Sequence, residues 1–227
     1  MASIVPSLLA GDISRLAESL DVVQALGIST IHIDVMDGHF RRQISVGQPV
    51  VRSVRKATHL NLDVHMMVER PERYFEDFVR AGADSLAFHF EATQNITLAT
   101  ELARRLGTKV GLALNSSTRV ESCFDVLGYL DYVLVETGIE TFMPRSLSRV
   151  SALAKEREVR KLNFSIAAEG GIRAREAEDL VAAGGDILVV GSTIFDRSKD
   201  GDVMRAVART LSGTPLVDGR ETRSQVH

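Results

Sequence analysis

Short runs of Val, Ile and Leu recur about eight times along the chain, and segments of helical periodicity separate them. Strands that alternate with helices in this way are typical of parallel α/β folds, because each crossover helix covers the sheet. About eight strand–helix repeats predict an α/β fold of the (β/α)8 TIM barrel type, in which the sheet closes on itself. The predicted strands are residues 3–5, 30–35, 61–66, 85–90, 109–115, 131–136, 163–169 and 186–191.

The segments between the predicted strands have apolar residues three and four positions apart, which is typical of amphipathic helices. The first segment shows this spacing at Ile13, Leu16, Leu20 and Val23. Asp12 precedes it and is expected to cap the helix that begins near Ile13. Glycines stand where helices are expected to end, and we interpret them as left-handed C-caps: Gly27, Gly82, Gly107, Gly128 and Gly184.

The length of 227 residues suits one barrel, so residues 1–212 are predicted to form a single catalytic domain. The polar segment 213–227 follows the last predicted helix and is expected to be mobile or to lie on a neighbouring subunit. A net charge of −3 and the absence of Trp disfavour binding to nucleic acid or to a membrane surface, which leaves a small molecule as the expected partner. Cys123 is the one cysteine, and the first residues lack a secretory signal, so we expect a cytoplasmic protein.

Polar side chains lie at the carboxyl ends of three predicted strands. His32 and Asp34 alternate along the second strand and therefore face the same side, while His65 and Glu169 end the third and seventh strands. In (β/α)8 barrels such residues meet around the active site. A single His or Asp at a strand end is more often a hydrogen-bonded structural residue, but four at matching positions favour one divalent metal ion. Imidazole and carboxylate ligands suit Zn²⁺, Fe²⁺, Mn²⁺ or Co²⁺, and the sequence does not distinguish among these ions.

Glycine-containing pairs follow the last two predicted strands. Gly170 and Gly171 come after the seventh strand, and Gly191 and Ser192 come after the eighth. Barrels commonly bind a phosphate at these two positions with backbone N–H groups. Tight turns require glycine for backbone reasons alone, but the joint placement favours a phosphorylated substrate.

Several blocks of the chain resemble ribulose-phosphate 3-epimerases, and together they cover nearly the whole predicted barrel. The blocks are residues 5–9 (VPSLL), 31–40 (IHIDVMDGHF), 62–67 (LDVHMM), 89–92 (HFEA), 111–115 (GLALN), 169–172 (EGGI) and 190–195 (VGSTIF). The resemblance implies a (β/α)8 barrel, often a homo-oligomer, that acts as a metal-dependent epimerase of a sugar phosphate. It also implies interconversion of D-ribulose 5-phosphate and D-xylulose 5-phosphate by two-base proton transfer through a metal-stabilised enediolate.

The resemblance assigns roles to individual residues. Asp34 and Glu169 are expected to be both metal ligands and the acid–base pair, and His32 and His65 complete the metal site. Inversion of a carbon beside a ketone removes a proton from one face and returns one to the other, so two such groups must flank a planar intermediate. The residues expected near the substrate are Ser7, Met36, Met67, Gly170, Gly171, Gly191 and Ser192. The residues expected close to the metal site, with less defined roles, are His39, His89 and Glu91.

The sequence departs from the family in three places. Glu169 stands where the family has Asp, and its extra methylene shifts the carboxylate by about an ångström unless the backbone compensates. Residues 136–142 (ETGIETF) replace a glycine-rich loop, and Glu136 replaces a methionine. An added carboxylate would repel a phosphate unless it binds sugar hydroxyls or pairs with an arginine. Arg41 and Arg42 replace an uncharged pair, and they either supply phosphate contacts or extend from an exposed loop.

Two other interpretations remain open at this stage. The rebuilt loop and Glu169 are compatible with a family member that acts on another ketose phosphate, such as a tetrulose or a hexulose. The same rearrangement is compatible with a non-catalytic paralogue that keeps the barrel as a binding protein. His89 is expected either to contact substrate or to be a hydrogen-bonded histidine that lines the barrel.

Overall fold

The computed structural model describes residues 2–139 and 141–195. Within them, eight parallel strands form one sheet in the order β1-β8-β7-β6-β5-β4-β3-β2. A parallel bridge between Ser7 and His32 brings β1 to β2 at the two ends of this order, and the sheet thereby forms a nearly closed barrel. The strands are β1 (Ser3–Pro6), β2 (Thr30–Met36), β3 (Asn61–Met67), β4 (Ser85–His89), β5 (Lys109–Leu114), β6 (Tyr132–Glu136), β7 (Ser165–Glu169) and β8 (Ile187–Val190).

Helices alternate with the strands, as the sequence predicts for a (β/α)8 TIM barrel. They are α1 (Leu16–Ala25), α2 (Gln48–Ala57), α3 (Phe75–Ala81), α4 (Ile96–Arg105), α5 (Arg145–Arg160), α6 (Ala174–Ala182) and α7 (Ser192–Phe195). None of the helices in the described part of the chain is both long enough and apolar enough to cross a membrane. The predicted tail 213–227 and the end of the predicted barrel domain, 196–212, lie outside the described residues.

Two details of the predicted helices differ in the structure. Asp12 accepts the N–H of Ser14 at 2.9 Å as expected, but it caps a 3₁₀ turn, Ile13–Arg15, and α1 begins after that turn. The predicted C-cap at Gly128 is wrong, because Gly128 lies inside a 3₁₀ helix, Leu127–Tyr129. A second 3₁₀ helix, Val120–Cys123, occupies the same connection between β5 and β6. This connection opens with Ser and Thr residues, whose side chains compete for backbone hydrogen bonds and favour turns over an α-helix.

Strand alternation separates the barrel interior from the seam between strands and helices. On β2, Ile31 and Ile33 belong to the large apolar cluster that also contains the buried helix residues. The intervening His32 and Asp34 therefore face the interior. A smaller cluster fills the interior itself, with Tyr132 as its largest member; it contains Val5, Ala87, Ala113, Tyr132, Leu134, Ala167 and Val189. Alanines on three strands leave the space that the tyrosine ring occupies.

Candidate active site

Four side chains from three strands meet at the carboxyl end of the barrel: His32 and Asp34 from β2, His65 from β3 and Glu169 from β7. One ligand atom from each residue lies within 4.8 Å of the other three. His32 Nε2 is 3.3 Å from Asp34 Oδ1 and 3.5 Å from Glu169 Oε2. His65 Nδ1 is 3.3 Å from Asp34 Oδ1 and 3.0 Å from Glu169 Oε2. Each imidazole therefore faces both carboxylates.

These same four atoms are buried and have no hydrogen-bond partner. A buried polar atom without a partner costs about 1–3 kcal/mol, so four together indicate a missing ligand. The four imidazole–carboxylate separations run from 3.0 to 3.5 Å, and all four atoms lie within 4.8 Å of one another, so a single cation among them can contact all four. The residues present therefore fit one divalent metal ion, and the donor types suit several transition metals.

The outward-facing atoms of three of these residues, His32, Asp34 and His65, have hydrogen-bond partners. His32 Nδ1 lies 2.7 Å from Asp63 Oδ2, and Ser7 donates its hydroxyl to Asp34 Oδ2 at 2.6 Å. His65 Nε2 lies 2.9 Å from the Nε2 atom of His89. His65 Nδ1 and His32 Nε2 are thereby the nitrogens that face the centre. The partners fix the orientation of each ring and leave one unpaired atom per residue for a ligand.

The titration behaviour of the cluster reflects its mixed charges. Burial lowers the pKa of His32, but the carboxylates of Glu169 and Asp34 outweigh it and leave this pKa well above its usual value. The same balance of burial against Glu169 and Asp34 raises the pKa of His65 to about 9. Burial and the Asp34 carboxylate raise the pKa of Glu169, yet His32 and His65 outweigh them and lower it. Without a metal ion, protons on the imidazoles therefore balance the carboxylates, and a metal ion must displace those protons.

A cavity of about 360 Å³ lies beside Glu169 at the ends of β1, β7 and β8. Its lining includes four of the residues predicted near the substrate: Ser7, Gly170, Gly171 and Gly191. Gly170 and Gly171 have φ of 114° and 62°, and a Cβ atom on Gly171 would lie 2.4 Å from the backbone nitrogen of Phe142. The backbone geometry of this turn therefore requires glycine whether or not a phosphate binds there. The side chain of Ser192 lies outside what the structure describes.

A second cavity, of about 440 Å³, lies on the other side of the candidate ligands. Met36 and Met67 line it together with Asp34 and Glu169, so both cavities meet at the candidate ligands. The polar residues that line it farther from the cluster are Arg41, Arg42, Gln43 and Glu136. A substrate that reaches the cluster can therefore extend into two differently lined spaces.

Two of the charged side chains in the second cavity, Arg41 and Glu136, are paired with each other. Arg41 forms an ion pair with Glu136 and donates to Asn115 Oδ1 at 2.8 Å. Arg149 donates to the carbonyl oxygens of Glu136 and Asn115, both at 2.8 Å. The arginine pairing that the sequence left open for Glu136 is thus present. Of the two arginines, Arg41 is half-buried, whereas Arg42 is exposed.

The loop after β6 is hydrogen-bonded to the end of β7. The N–H of Thr137 donates to the carbonyl oxygen of Glu169 at 2.7 Å, and the Thr137 hydroxyl donates to the same oxygen at 2.9 Å. These bonds fix the backbone position of Glu169. From that position its side chain, one methylene longer than that of the family's Asp, places the carboxylate beside both imidazoles.

The structure also places residues that sequence reasoning positioned poorly or missed. His39 is exposed, with 77% of its side chain accessible, and its ring contacts Asp37 rather than the ligand cluster. His89 is buried between His65 and Glu91, whose Oε2 lies 3.2 Å from His89 Nδ1. The residues that sequence reasoning missed are Ser85, Asn115, Tyr132 and Arg149. For Ser85 and Tyr132 a signal existed, because strand alternation puts them on the same faces as His89 and Glu136.

Comparison with known proteins adds a family to this geometry. Residues 3–195 match the model of the ribulose-phosphate 3-epimerase family. The ribulose-phosphate 3-epimerase of Treponema pallidum is 42% identical over 198 residues, which are 85% of this chain and 91% of that protein. The enzyme of the same name from Bacillus subtilis is 35% identical over 204 residues, which are 87% of this chain and 94% of that protein.

Solved structures show the same fold at low identity. Orotidine 5′-phosphate decarboxylase from Pyrococcus horikoshii superposes with a TM-score of 0.67 at 16% identity, over 93% of this chain and all of that chain (100%). Thiamine phosphate pyrophosphorylase from Pyrococcus furiosus superposes with a TM-score of 0.65, also at 16% identity, over 93% of this chain and 95% of that chain. At such identity the likeness concerns the barrel alone.

Proposed function

The chain belongs to the ribulose-phosphate 3-epimerase family, and from this premise we propose that it is a metal-dependent epimerase that interconverts D-ribulose 5-phosphate and D-xylulose 5-phosphate. The relatives of that name place it among the isomerases. The observation that supports the metal dependence is the group of four buried, unpaired ligand atoms on His32, Asp34, His65 and Glu169. A barrel that bound no ion would gain nothing from burying such polar atoms without partners.

Asp34 and Glu169 are proposed as the acid–base pair. They come from β2 and β7, and both are ionised in the metal-free cluster, since the histidines lower the pKa of each carboxyl despite burial. Before the step one carboxylate takes a proton from solvent; the ionised carboxylate then removes the proton beside the ketone, and the protonated one delivers its proton to the opposite face, which leaves the two residues with exchanged protonation states. In the reverse reaction the two residues exchange roles.

The metal site supports this proton transfer electrostatically. A divalent cation bound by His32, Asp34, His65 and Glu169 supplies positive charge beside the ketone and hydroxyl oxygens on which negative charge develops. Ser7 holds Asp34 Oδ2 through its hydroxyl and thereby fixes the direction of that carboxylate. Met36 and Met67 line the adjoining cavity and exclude water from the reacting carbon.

The phosphate is proposed to bind in the smaller cavity, where Gly170, Gly171 and Gly191 present backbone groups beside Ser7. Positive φ at the first two glycines turns the backbone in a way that side-chain-bearing residues rarely adopt. The unphosphorylated end of the ketose then lies toward Met36 and Met67, in the cavity that also contains the Arg41–Glu136 pair.

A second candidate substrate is favoured by that ion pair. The family has a methionine at the position of Glu136, so the cavity here has hydrogen-bonding groups at a place where an apolar wall is expected. Arg41, Glu136 and Asn115 together can bind hydroxyl groups of a ketose phosphate of different length, such as a tetrulose or a hexulose.

Solvent proton exchange distinguishes these candidates. The purified chain, loaded with Zn²⁺, Mn²⁺, Fe²⁺ or Co²⁺, is incubated in D2O with phosphorylated tetrulose, pentulose and hexulose, and deuterium at the carbon beside the ketone is measured by NMR. We expect the fastest incorporation, with inversion, for ribulose 5-phosphate. Fast exchange with a hexulose or tetrulose phosphate alone would replace the proposed substrate. If the metal-loaded protein catalyses exchange with none of these substrates, the proposed epimerase activity is wrong.

A further inference from the structure

A third carboxylate is buried below the four candidate ligands, inside the barrel. Asp63 of β3 is 8% exposed, and its Oδ2 lies 2.7 Å from Nδ1 of His32. Its other oxygen, Oδ1, accepts hydrogen bonds from the hydroxyls of Ser85 and Tyr132. Four strands, β2, β3, β4 and β6, thus meet at one carboxylate.

The hydrogen bonds of Asp63 define which nitrogen of His32 carries hydrogen. Both hydroxyls donate to Oδ1, so Oδ2 is left to accept from the Nδ1–H of His32. Once the ring has lost its second proton, Nε2 has a free lone pair, and it is the atom that faces Asp34 and Glu169. A metal ligand needs this lone pair at Nε2.

The interior of the barrel is shaped for the tyrosine that holds Asp63. Tyr132 lies on β6 and reaches across to β3, with 7% of its surface exposed. The ring can lie there because residue 111 on the neighbouring β5 is glycine: a Cβ atom at Gly111 would lie 2.2 Å from Cζ of the Tyr132 ring. Ala87 and Ala113 supply further room in the same interior cluster. The ring therefore lies among small residues, and its hydroxyl donates to the carboxylate of Asp63.

We propose that Asp63, held by Ser85 and Tyr132, is a positioning residue that fixes the orientation and tautomer of His32 and thereby sets the metal affinity of the site. The inference rests on the proposed function only in that a divalent ion occupies the site. Carboxylates that orient a metal-binding histidine typically contribute 10–100-fold to affinity, which is the scale expected here. Tyr132 acts on the metal through two intermediates, Asp63 and His32, and it does not touch substrate.

The test is a calorimetric titration of Zn²⁺ and of Mn²⁺ into the chelator-treated full chain. Asp63→Asn keeps the volume and removes the charge, and we expect its dissociation constant to rise by about 10–100-fold. Tyr132→Phe keeps the ring and removes one donor, and we expect a smaller rise because Ser85 still holds Oδ1. Tyr129→Phe is the matched control: Tyr129 is 56% exposed, so the same loss of a hydroxyl there leaves the affinity unchanged.

A second readout separates positioning from general loss of structure. The ¹⁵N chemical shifts of His32, recorded at a pH high enough for the ring to be neutral, report which ring nitrogen carries hydrogen, and we expect Nδ1–H in the wild type and a mixture of tautomers in Asp63→Asn. Thermal melting and circular dichroism establish that each variant is folded. If Asp63→Asn does not fold, Tyr132→Phe decides the question, and unchanged affinity and tautomer in that variant overturn the proposal.

The outcomes also distinguish this inference from the proposed function. If the wild-type chain binds none of the metals, the proposed metal site itself is wrong, whatever the variants do. A wild-type chain that binds metal with the same affinity as folded Asp63→Asn leaves the metal site intact and overturns the positioning role. If metal affinity is weaker in Asp63→Asn but unchanged in Tyr132→Phe, Asp63 has the positioning role and Tyr132 does not contribute to it.

Discussion

On one side of the barrel mouth, the carboxyl end of the strands, the four candidate ligands face one another without hydrogen bonds at their inner atoms. On the other side the charges are already paired: Arg41 with Glu136 and Asn115, and Arg149 with backbone carbonyls. We call the first the open side, because its four polar atoms have no partner within the described part of the protein and can bind a ligand, and the second the paired side. On the second side the polar groups have partners within the protein, apart from the buried Nε of Arg149, so this side shapes the cavity and holds loops in place.

This difference separates binding from architecture within one small region. A change on the open side should abolish metal binding or proton transfer, while the barrel itself remains. A change on the paired side should affect stability and substrate selection, because it leaves a charged partner without its counterion. Substitutions on the two sides can therefore be compared by the ratio of lost activity to lost stability.

The largest effect is expected from the acid–base pair. Asp34→Asn and Glu169→Gln keep the side-chain volume and remove a general base, which should lower kcat by about 100- to 10,000-fold. The measurement is the rate of conversion of ribulose 5-phosphate into xylulose 5-phosphate, with metal content determined on the same samples. Retention of a tenth of the wild-type rate by a metal-loaded variant would remove that residue from the acid–base role.

The next effect is a pH dependence of metal affinity. The pKa of His65 in the metal-free chain is raised from 6.5 to about 9, so a proton must leave this ring when metal binds below pH 9. Metal affinity should therefore rise about tenfold per pH unit for each proton displaced, up to about pH 9. Titrations of Zn²⁺ at pH 6, 7 and 8 measure this slope, and a flat profile would contradict the charge balance described for the cluster.

The same shift predicts the opposite slope for the stability of the metal-free chain. A folded-state pKa above the unfolded value of 6.5 means that His65 stabilises the fold fully below that pH and loses this contribution as the pH rises through about 9. Urea unfolding of chelator-treated protein should show a falling midpoint over this range. The metal-loaded protein should not show this fall, which gives an internal comparison.

On the paired side, Glu136→Met should leave the half-buried guanidinium of Arg41 without its counterion. We expect a loss of about 1 kcal/mol in the free energy of unfolding and an altered preference among ketose phosphates. Arg41→Met combined with Glu136→Met removes both charges and should recover most of the stability. Urea unfolding of the two single variants and the double variant measures the coupling, and strictly additive losses would show that the pair is not coupled.

The smallest effect is expected at the neighbouring arginine. Arg42 lines the same cavity but is exposed, so Arg42→Met should leave stability unchanged and raise KM less than Arg41→Met does. Steady-state kinetics with ribulose 5-phosphate compare the two variants directly. A larger KM effect at Arg42 would indicate that the exposed arginine contacts the phosphate.

The sequence predicted that the four candidate ligands lie at one end of the barrel, where the structure brings them together, and it left the pairing of Arg41 with Glu136 open. Side chains two positions apart on a strand face the same side, which is enough to place His32 beside Asp34. Closure of the barrel brings His65 and Glu169 to the same end. The contact between Tyr132 and Asp63 spans 69 positions and depends on strand register and on the space above Gly111, which local patterns do not contain.

The loops were predicted least completely. Which of the two arginines after β2 turns inward depends on the course of that loop and on Asn115 of another loop. In the connection between β5 and β6, apolar spacing predicted a helix ending at Gly128, whereas the chain forms 3₁₀ turns. Loop geometry results from tertiary contacts that no local pattern in this chain records.

The central claim, that the four unpaired atoms bind one divalent ion, is tested most directly by anomalous diffraction from crystals grown with Zn²⁺ or Mn²⁺. The claim predicts one anomalous peak per chain, about 2.0–2.2 Å from His32 Nε2, Asp34 Oδ1, His65 Nδ1 and Glu169 Oε2. A peak elsewhere, or none at saturating metal in crystals of active protein, would contradict it.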